Sequence, residues 1–187
     1  MVNIVSVSGK KYQVDVGFGL NGPTQPILLE EGWETTSISP SGVRLVRDFI
    51  PDFRDKNEDQ DKLWIFQHRA APSEGWQPIY AFTEIEFIPQ DYEISNFFTS
   101  TSRTSFFTSA IVVVKYLLDN LGKGQLIGSM SLMNGFAKRR MRGNTKLLTE
   151  CKTEEERIRA LRDYFGIEIK EDEKQGIKGL VTELKGK

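Results

Sequence analysis

Tyr12-Gln13-Val14-Asp15-Val16-Gly17-Phe18-Gly19, close to the first residue, is the stretch on which the reading of this chain turns. Tyr12, Val14, Val16 and Phe18 alternate with polar or small residues, a β-prone pattern that runs into a glycine-punctuated turn. Asp15 stands in the middle of that pattern. Burying a carboxylate without a partner is costly. The partner that gives such an aspartate chemical work is a histidine, whose ring it orients and whose charge it stabilises. The single histidine of the chain is His68, far away in sequence.

Working outward, Val2, Ile4, Val5 and Val7 form a second strand pattern, joined to the first through Ser8-Gly9-Lys10-Lys11 as a hairpin. Downstream, Leu20-Asn21-Gly22-Pro23-Thr24-Gln25-Pro26 is a run of turn formers and reads as loop. Short strands are expected over Ile27–Leu29, Val43–Ile50, Leu63–Gln67 and Ile79–Phe87. Loops are expected over Ser37–Gly42 and over the acidic stretch Asp52–Lys62. Many short strands separated by turns indicate a barrel or a strongly curved antiparallel sheet.

The texture changes at Pro89. A proline suits the first turn of a helix and acids suit its positive end, so a helix is expected over Pro89–Phe98. Phe106–Leu118 is β-branched and aromatic and reads as one strand. Asn120–Gly124 turns the chain, and Gln125–Met133 returns it. Phe136–Arg142 and Thr145–Thr149 pair across Gly143-Asn144. Thr153-Glu154-Glu155-Glu156 has the form of a capping box. Ile158, Leu161, Tyr164 and Phe165 then recur at helical spacing until Gly166, and the tail from Ile167 reads as frayed or partly extended.

Composition bounds the function. The chain has 187 residues, with 25 Lys plus Arg against 26 Asp plus Glu and a formal net charge of -1. That balance gives no electrostatic case for nucleic acid or an anionic membrane as partner. One cysteine excludes an intrachain disulfide, and one histidine excludes most multi-ligand zinc sites, so no metal is expected. The cysteine usage points to a cytoplasmic protein. No apolar run reaches membrane-spanning length. The first residues have no signal-peptide pattern. A strand that starts directly after Met1, together with an aspartate lacking its histidine, points to an upstream segment.

Three stretches carry a family resemblance. Tyr12-x-Val14-Asp15-Val16-Gly17-Phe18-Gly19 resembles the arylamine N-acetyltransferases at their catalytic-aspartate strand. Asp91-Tyr92-Glu93, Asn96 and Thr99-Ser100-Thr101-Ser102-x-Thr104-Ser105-Phe106-Phe107-Thr108 are similar to that family's interdomain helix and coenzyme segment. Thr153 to Ile167, with Tyr164-Phe165-Gly166-Ile167 at its end, resembles the family's C-terminal helix. The resemblance implies an α+β fold: an antiparallel β-barrel part over 1–88, an interdomain helix and coenzyme segment over 89–105, and an α/β lid over 106–187.

The resemblance also implies the chemistry. These enzymes use a Cys-His-Asp triad in a ping-pong transfer from acetyl-CoA to an arylamine or hydrazine. The thiolate attacks the thioester, and an adjacent imidazolium keeps the thiol ionised. Carried over, Asp15 is the triad aspartate, Phe18 and Leu20 line the acceptor pocket, and Phe98 and Thr104 touch CoA. The family's triad histidine and its Arg-Gly-Gly-x-Cys nucleophile would both lie upstream of Met1. The expectation is therefore a C-terminal part of an enzyme, inactive on its own. The alternative is a CoA-binding or interaction module without catalysis. Cys151 and His68 carry no pattern of an activated pair and read as structural. Lys138, Arg139, Arg140 and Arg142 read as a solvated strand, with attraction of CoA phosphates as the competing role. The acids of residues 52–61 lack the spacing of a calcium loop.

Overall fold

The computed structural model describes residues 1–119 and 124–186. The chain divides into two compact units, Met1–Ile85 and Glu86–Lys187.

The first unit opens with the hairpin expected from the sequence. Strands β1 (Asn3–Val7) and β2 (Lys10–Val14) pair antiparallel with Val7 opposite Lys10. The two residues between them, Ser8 and Gly9, both take positive φ, 50° and 77°. That is the turn geometry whose twist matches a right-handed β-ribbon. The short strand β3 (Ile27–Leu28) adds to the other side of β2. A second sheet has the order β4 (Glu34–Thr36), β5 (Gly42–Asp48), β6 (Leu63–Arg69), β7 (Gln77–Phe82).

The inner strand β6 is covered on both faces: Trp64, Phe66 and His68 are buried on one side and Ile65 on the other. Two-sided burial explains the unbroken apolar run from Leu63 to Phe66. Ile27, Val43, Leu45, Trp64 and Phe66 make the core, with Tyr80 and Phe82 packed against it. Phe66 is fully buried and stacks on Tyr80 at 5.0 Å between ring centroids. Phe66→Ala is expected to cost about 3–5 kcal/mol of folding stability, from lost transfer energy plus the cavity left behind. Urea unfolding measures it; a loss below about 1 kcal/mol would mean that the core collapses into the gap.

The barrel expected for this region is not closed among the described residues. The three-stranded and four-stranded sheets remain separate. Side chains link them instead: Lys11 of β2 pairs with Glu84 just beyond β7 at 2.6 Å, and Gln13 of β2 bonds Tyr80 of β7. The Lys11 ammonium, with the Trp64 indole N–H, holds the Glu84 carboxyl below its ordinary range. Strand β7 also stops at Phe82 instead of reaching Phe87. Strand β4 was not foreseen, since Glu34-Thr35-Thr36 has no apolar alternation to mark it.

The second unit begins with α1 (Pro89–Thr101), longer by one turn than the expected helix. Asp91 accepts the Ile88 backbone N–H at 2.9 Å and so caps its first turn. The expected strand over Phe106–Leu118 is in fact a helical turn, α2 (Phe106–Ser109), followed by β8 (Val112–Leu118). Local hydrogen bonding outweighs the β-propensity of the two phenylalanines. Ser105 Oγ accepts from the Phe107 N–H, and Thr108 Oγ1 donates to the Ser102 and Ser105 carbonyls.

Strands β8, β9 (Leu126–Met133), β10 (Phe136–Met141) and β11 (Asn144–Glu150) form an antiparallel meander. The turn expected over Asn120–Gly124 lies largely outside the described residues. Helix α3 (Glu154–Ala160) has the expected cap: Thr153 Oγ1 accepts from the Glu156 N–H, and Glu156 accepts from the Thr153 N–H, each at 3.3 Å. A π-helical turn, Leu161–Phe165, carries it to Gly166, which ends it at φ 73°. The tail is not simply frayed. It forms a 3-10 turn at Glu173–Ile177 and returns so that Lys185 bridges to Thr153.

Candidate active site

Asp15 lies one residue past β2, at the mouth of a turn, and not within the strand as the alternation implied. Its Oδ1 accepts the backbone N–H groups of Gly17 at 2.9 Å and Phe18 at 3.1 Å. An aspartate that gathers N–H groups two and three residues ahead makes a local turn, and this one immobilises its own carboxylate in doing so. The chain then bends again, Gly22 N–H donating to the Gly19 carbonyl at 3.0 Å, with Gly19 at φ 85° where a side chain would be strained.

The phenol of Tyr80 faces Asp15. Burial first, then the Asp15 charge and a hydrogen bond to it, hold the Tyr80 hydroxyl well above its ordinary pKa. The phenol is therefore a proton donor at any physiological pH. Gln13, fully buried, donates from Nε2 to Tyr80 Oη at 2.6 Å, which works weakly in the opposite direction. The Tyr80 ring also lies 5.1 Å from that of Phe18, tilted by 46°. Asp15, Phe18, Tyr80 and Gln13 thus converge: a fixed carboxylate beside a half-exposed aromatic wall.

Gln13 and Tyr80 were missed from the sequence. Gln13 had a signal, since two-residue spacing places it on the same strand face as Asp15. Tyr80 had none, being 67 residues from Gln13. Leu20 is 38% exposed and Phe18 46% exposed on the loop that leaves Asp15. Val16, at 95%, points into solvent.

The two other residues singled out lie in the second unit. Phe98 projects from α1 and is 61% exposed. Thr104 is exposed between α1 and α2, its hydroxyl 2.9 Å from Ser102 Oγ. Much of the surrounding Ser/Thr run is spent on the helix itself. Ser95, Thr99, Ser100 and Thr101 donate to the carbonyls of Asp91, Ser95, Asn96 and Phe97. The basic residues of β10 divide between its faces, with Lys138 and Arg139 exposed. Among the described residues no group of three or more His, Cys, Asp or Glu is arranged to hold a metal.

Cys151 is buried in the core of the second unit with Leu132, Ala137, Ala160, Leu161 and Phe165. Burial, with the Glu156 carboxylate adding, raises its thiol pKa above the ordinary value. A reactive thiol needs the opposite shift. Alkylation of Cys151 in the native protein is expected to be much slower than in urea at neutral pH, and to accelerate only above the ordinary thiol pKa. Native labelling as fast as that of the unfolded chain at neutral pH would contradict this assignment. His68 is buried in β6, in register with Val43 and Gln77.

The family model described as N-acetyltransferase matches residues 1–174. The chain is 40% identical over 182 residues to the N-malonyltransferase FDB2 of Fusarium pseudograminearum (strain CS3096), a match covering 95% of this chain and 53% of the relative. Among solved structures, the arylamine N-acetyltransferase of Salmonella typhimurium superposes with a TM-score of 0.73 at 21% identity, over 94% of this chain and 59% of that one. The Mycobacterium marinum arylamine N-acetyltransferase in complex with CoA gives 0.68 at 26% identity, over 89% and 53%. The chain thus spans little more than half the length of the proteins it matches. By the extent of the family match and the shared α+β fold, the chain belongs to the arylamine N-acetyltransferase family.

Proposed function

We propose that this chain supplies the aspartate and part of the substrate surface of a CoA-dependent N-acyltransferase acting on arylamines or hydrazines. The observation that carries this reading is the Asp15 carboxylate, fixed by two backbone N–H groups in a turn whose Phe18 ring packs on the half-buried Tyr80. In a Cys-His-Asp site such a carboxylate orients the imidazole and stabilises its charged form. The thiolate then attacks the acyl thioester and CoA leaves as its thiol. The acceptor amine attacks the acyl-enzyme, gives its proton to the imidazole and regenerates the thiolate. Cys151, buried and with a raised pKa, is not that nucleophile.

Within this reading Phe18 and Leu20 line the acceptor pocket, and Phe98 and Thr104 contact CoA. The relative's name supports malonyl-CoA as the acyl donor in preference to the acetyl-CoA that the family resemblance alone implies.

A chimera tests both parts of the proposal. The chain, fused behind the cysteine- and histidine-bearing segment of an N-malonyltransferase relative, is expected to transfer acyl groups to an aromatic amine, faster from malonyl-CoA than from acetyl-CoA. The 187-residue chain alone is expected to show no turnover. Turnover by the chain alone that disappears in Cys151→Ser would overturn the assignment of roles. A preference of the chimera for acetyl-CoA would overturn the donor.

A further inference from the structure

Arg47, on β5, has no carboxylate of its own. Its Nη2 donates to the Lys62 carbonyl at 3.1 Å, and its guanidinium carbon stands 5.6 Å from the centre of the Trp64 ring. Its Nε is buried without a hydrogen-bond partner, and among the described residues no carboxylate lies within ion-pair distance of it. Two carboxylates feel its charge, and both are committed elsewhere. Asp59 pairs with Lys62 at 2.9 Å, and Glu84 pairs with Lys11 at 2.6 Å while accepting the Trp64 indole N–H. Those partners hold both carboxyls below their ordinary range, and Arg47 adds only a smaller share. A half-buried guanidinium in this state has N–H donors to spare for an anion.

Arg47 lines a cavity of about 910 Å³ formed by the end of β5, the loop after it, the start of β6 and the end of β7. Small-molecule sites occupy roughly 300–1,000 Å³. Apart from Thr83, the buried and half-buried walls are apolar or cationic: Phe53, Leu63, Trp64 and Phe82, with Arg47 and Lys62. The acids Asp52, Asp55, Asp61 and Glu84 are exposed at the rim, where water and salt screen them. The cavity lies away from the Asp15 turn, since Glu84 meets Lys11, and Lys11 to Asp15 is about 13 Å along an extended strand. We propose that this cavity binds a small aromatic carboxylate, its carboxylate on the Arg47 guanidinium and its ring against Phe53, Trp64 and Phe82. A planar guanidinium holds a carboxylate through paired N–H groups. The apolar walls reward a ring, which a bare inorganic anion does not supply. The site stands whether or not the acyl transfer proposed above does.

The Trp64 indole N–H reports from inside the cavity by nuclear magnetic resonance. The protein contains 3 tryptophans, and the spectra of Trp33→Phe and Trp76→Phe identify the Trp64 signal by elimination. The probes are 2-naphthoate, its neutral amide 2-naphthamide, and acetate, each titrated into the 187-residue protein. 2-Naphthoate is expected to shift the Trp64 signal saturably and to bind about tenfold or more tighter than either of the other two. Arg47→Gln keeps a donor for the Lys62 carbonyl and removes the charge. It is expected to weaken 2-naphthoate about tenfold and to leave 2-naphthamide unchanged, a difference that general loosening of the fold does not produce. Arg47→Lys replaces it if the glutamine variant melts early, with a smaller loss that again falls on the carboxylate alone. No saturable shift at millimolar 2-naphthoate would overturn the proposal. So would equal affinity for acid and amide, acetate binding as tightly as 2-naphthoate, or an Arg47 variant that weakens acid and amide alike or neither. None of these readings involves acyl transfer, so the site and the proposed function fail separately.

Discussion

Asp15→Asn is expected to lower acyl transfer by the chimeric enzyme about 10⁴-fold while leaving its folding intact. The asparagine amide keeps an oxygen where Oδ1 accepts from Gly17 and Phe18, so the turn that follows β2 survives. The negative charge does not survive. An imidazole beside a neutral amide loses both the preference for its working tautomer and the stabilisation of its charged form, and a thiol that depends on that charge stays protonated. The effect is therefore confined to the chemical step. Steady-state rates with an aromatic amine, read together with a thermal melt, check it. A variant that retains more than a tenth of the parent rate would show that Asp15 is a turn residue and nothing more. One that loses activity in step with its melting temperature would show the same.

Arg157→Ala is expected to cost about 3–5 kcal/mol of folding stability, because it removes a buried guanidinium and leaves the partly buried Glu154 carboxylate without its cation. Arg157 is 2% exposed and ties together three distant parts of the second unit. Its guanidinium forks onto Glu154, Nε to Oε2 at 3.0 Å and Nη2 to Oε1. Nη1 donates to the Asn134 carbonyl at 3.3 Å, in the turn between β9 and β10. Nη2 also donates to the Thr182 carbonyl at 2.9 Å, and Glu154 Oε1 accepts the Leu184 N–H at 2.7 Å. One ion pair thus clamps the returning tail against α3 and the sheet. Cutting it strands Glu154 and two carbonyls together. Arg157→Met/Glu154→Leu, which removes both charges, is expected to recover most of the loss, since buried ion pairs are replaceable by apolar contacts but not divisible. Urea unfolding of Arg157→Ala and of the double variant, each against the parent, measures this. An Arg157→Ala loss below about 1 kcal/mol would show the clamp to be solvated and dispensable.

Local signals in the sequence were enough for the elements that local chemistry controls. Ser8-Gly9 makes the first hairpin, Pro89 with Asp91 starts α1, and Thr153 with Glu156 caps α3. Each depends on contacts within four residues, and each is where the residues place it. Phe106 and Phe107 show the limit. Their β-propensity is a preference for a packed, half-buried surface, and here hydroxyls of Ser105 and Thr108 close a helical turn instead. The tail shows another limit, since alternating charge and glycine give no local sign that Arg157 will hold it.

The sequence by itself pointed to the family and singled out Asp15 as the aspartate to test, because the stretch from Tyr12 to Gly19 carries both the strand pattern and the turn that presents Asp15. It also placed that carboxylate wrongly, inside the strand, because alternation marks a face and does not mark where pairing ends. Only the tertiary structure decided what surrounds it. Tyr80 comes beside Phe18, in the turn that Asp15 holds, because β7 pairs with β6 and Phe66 stacks on its ring, and Gln13 reaches Tyr80 because the first sheet lies against the second. Contacts between residues 67 positions apart follow from sheet register and packing. No local propensity encodes those.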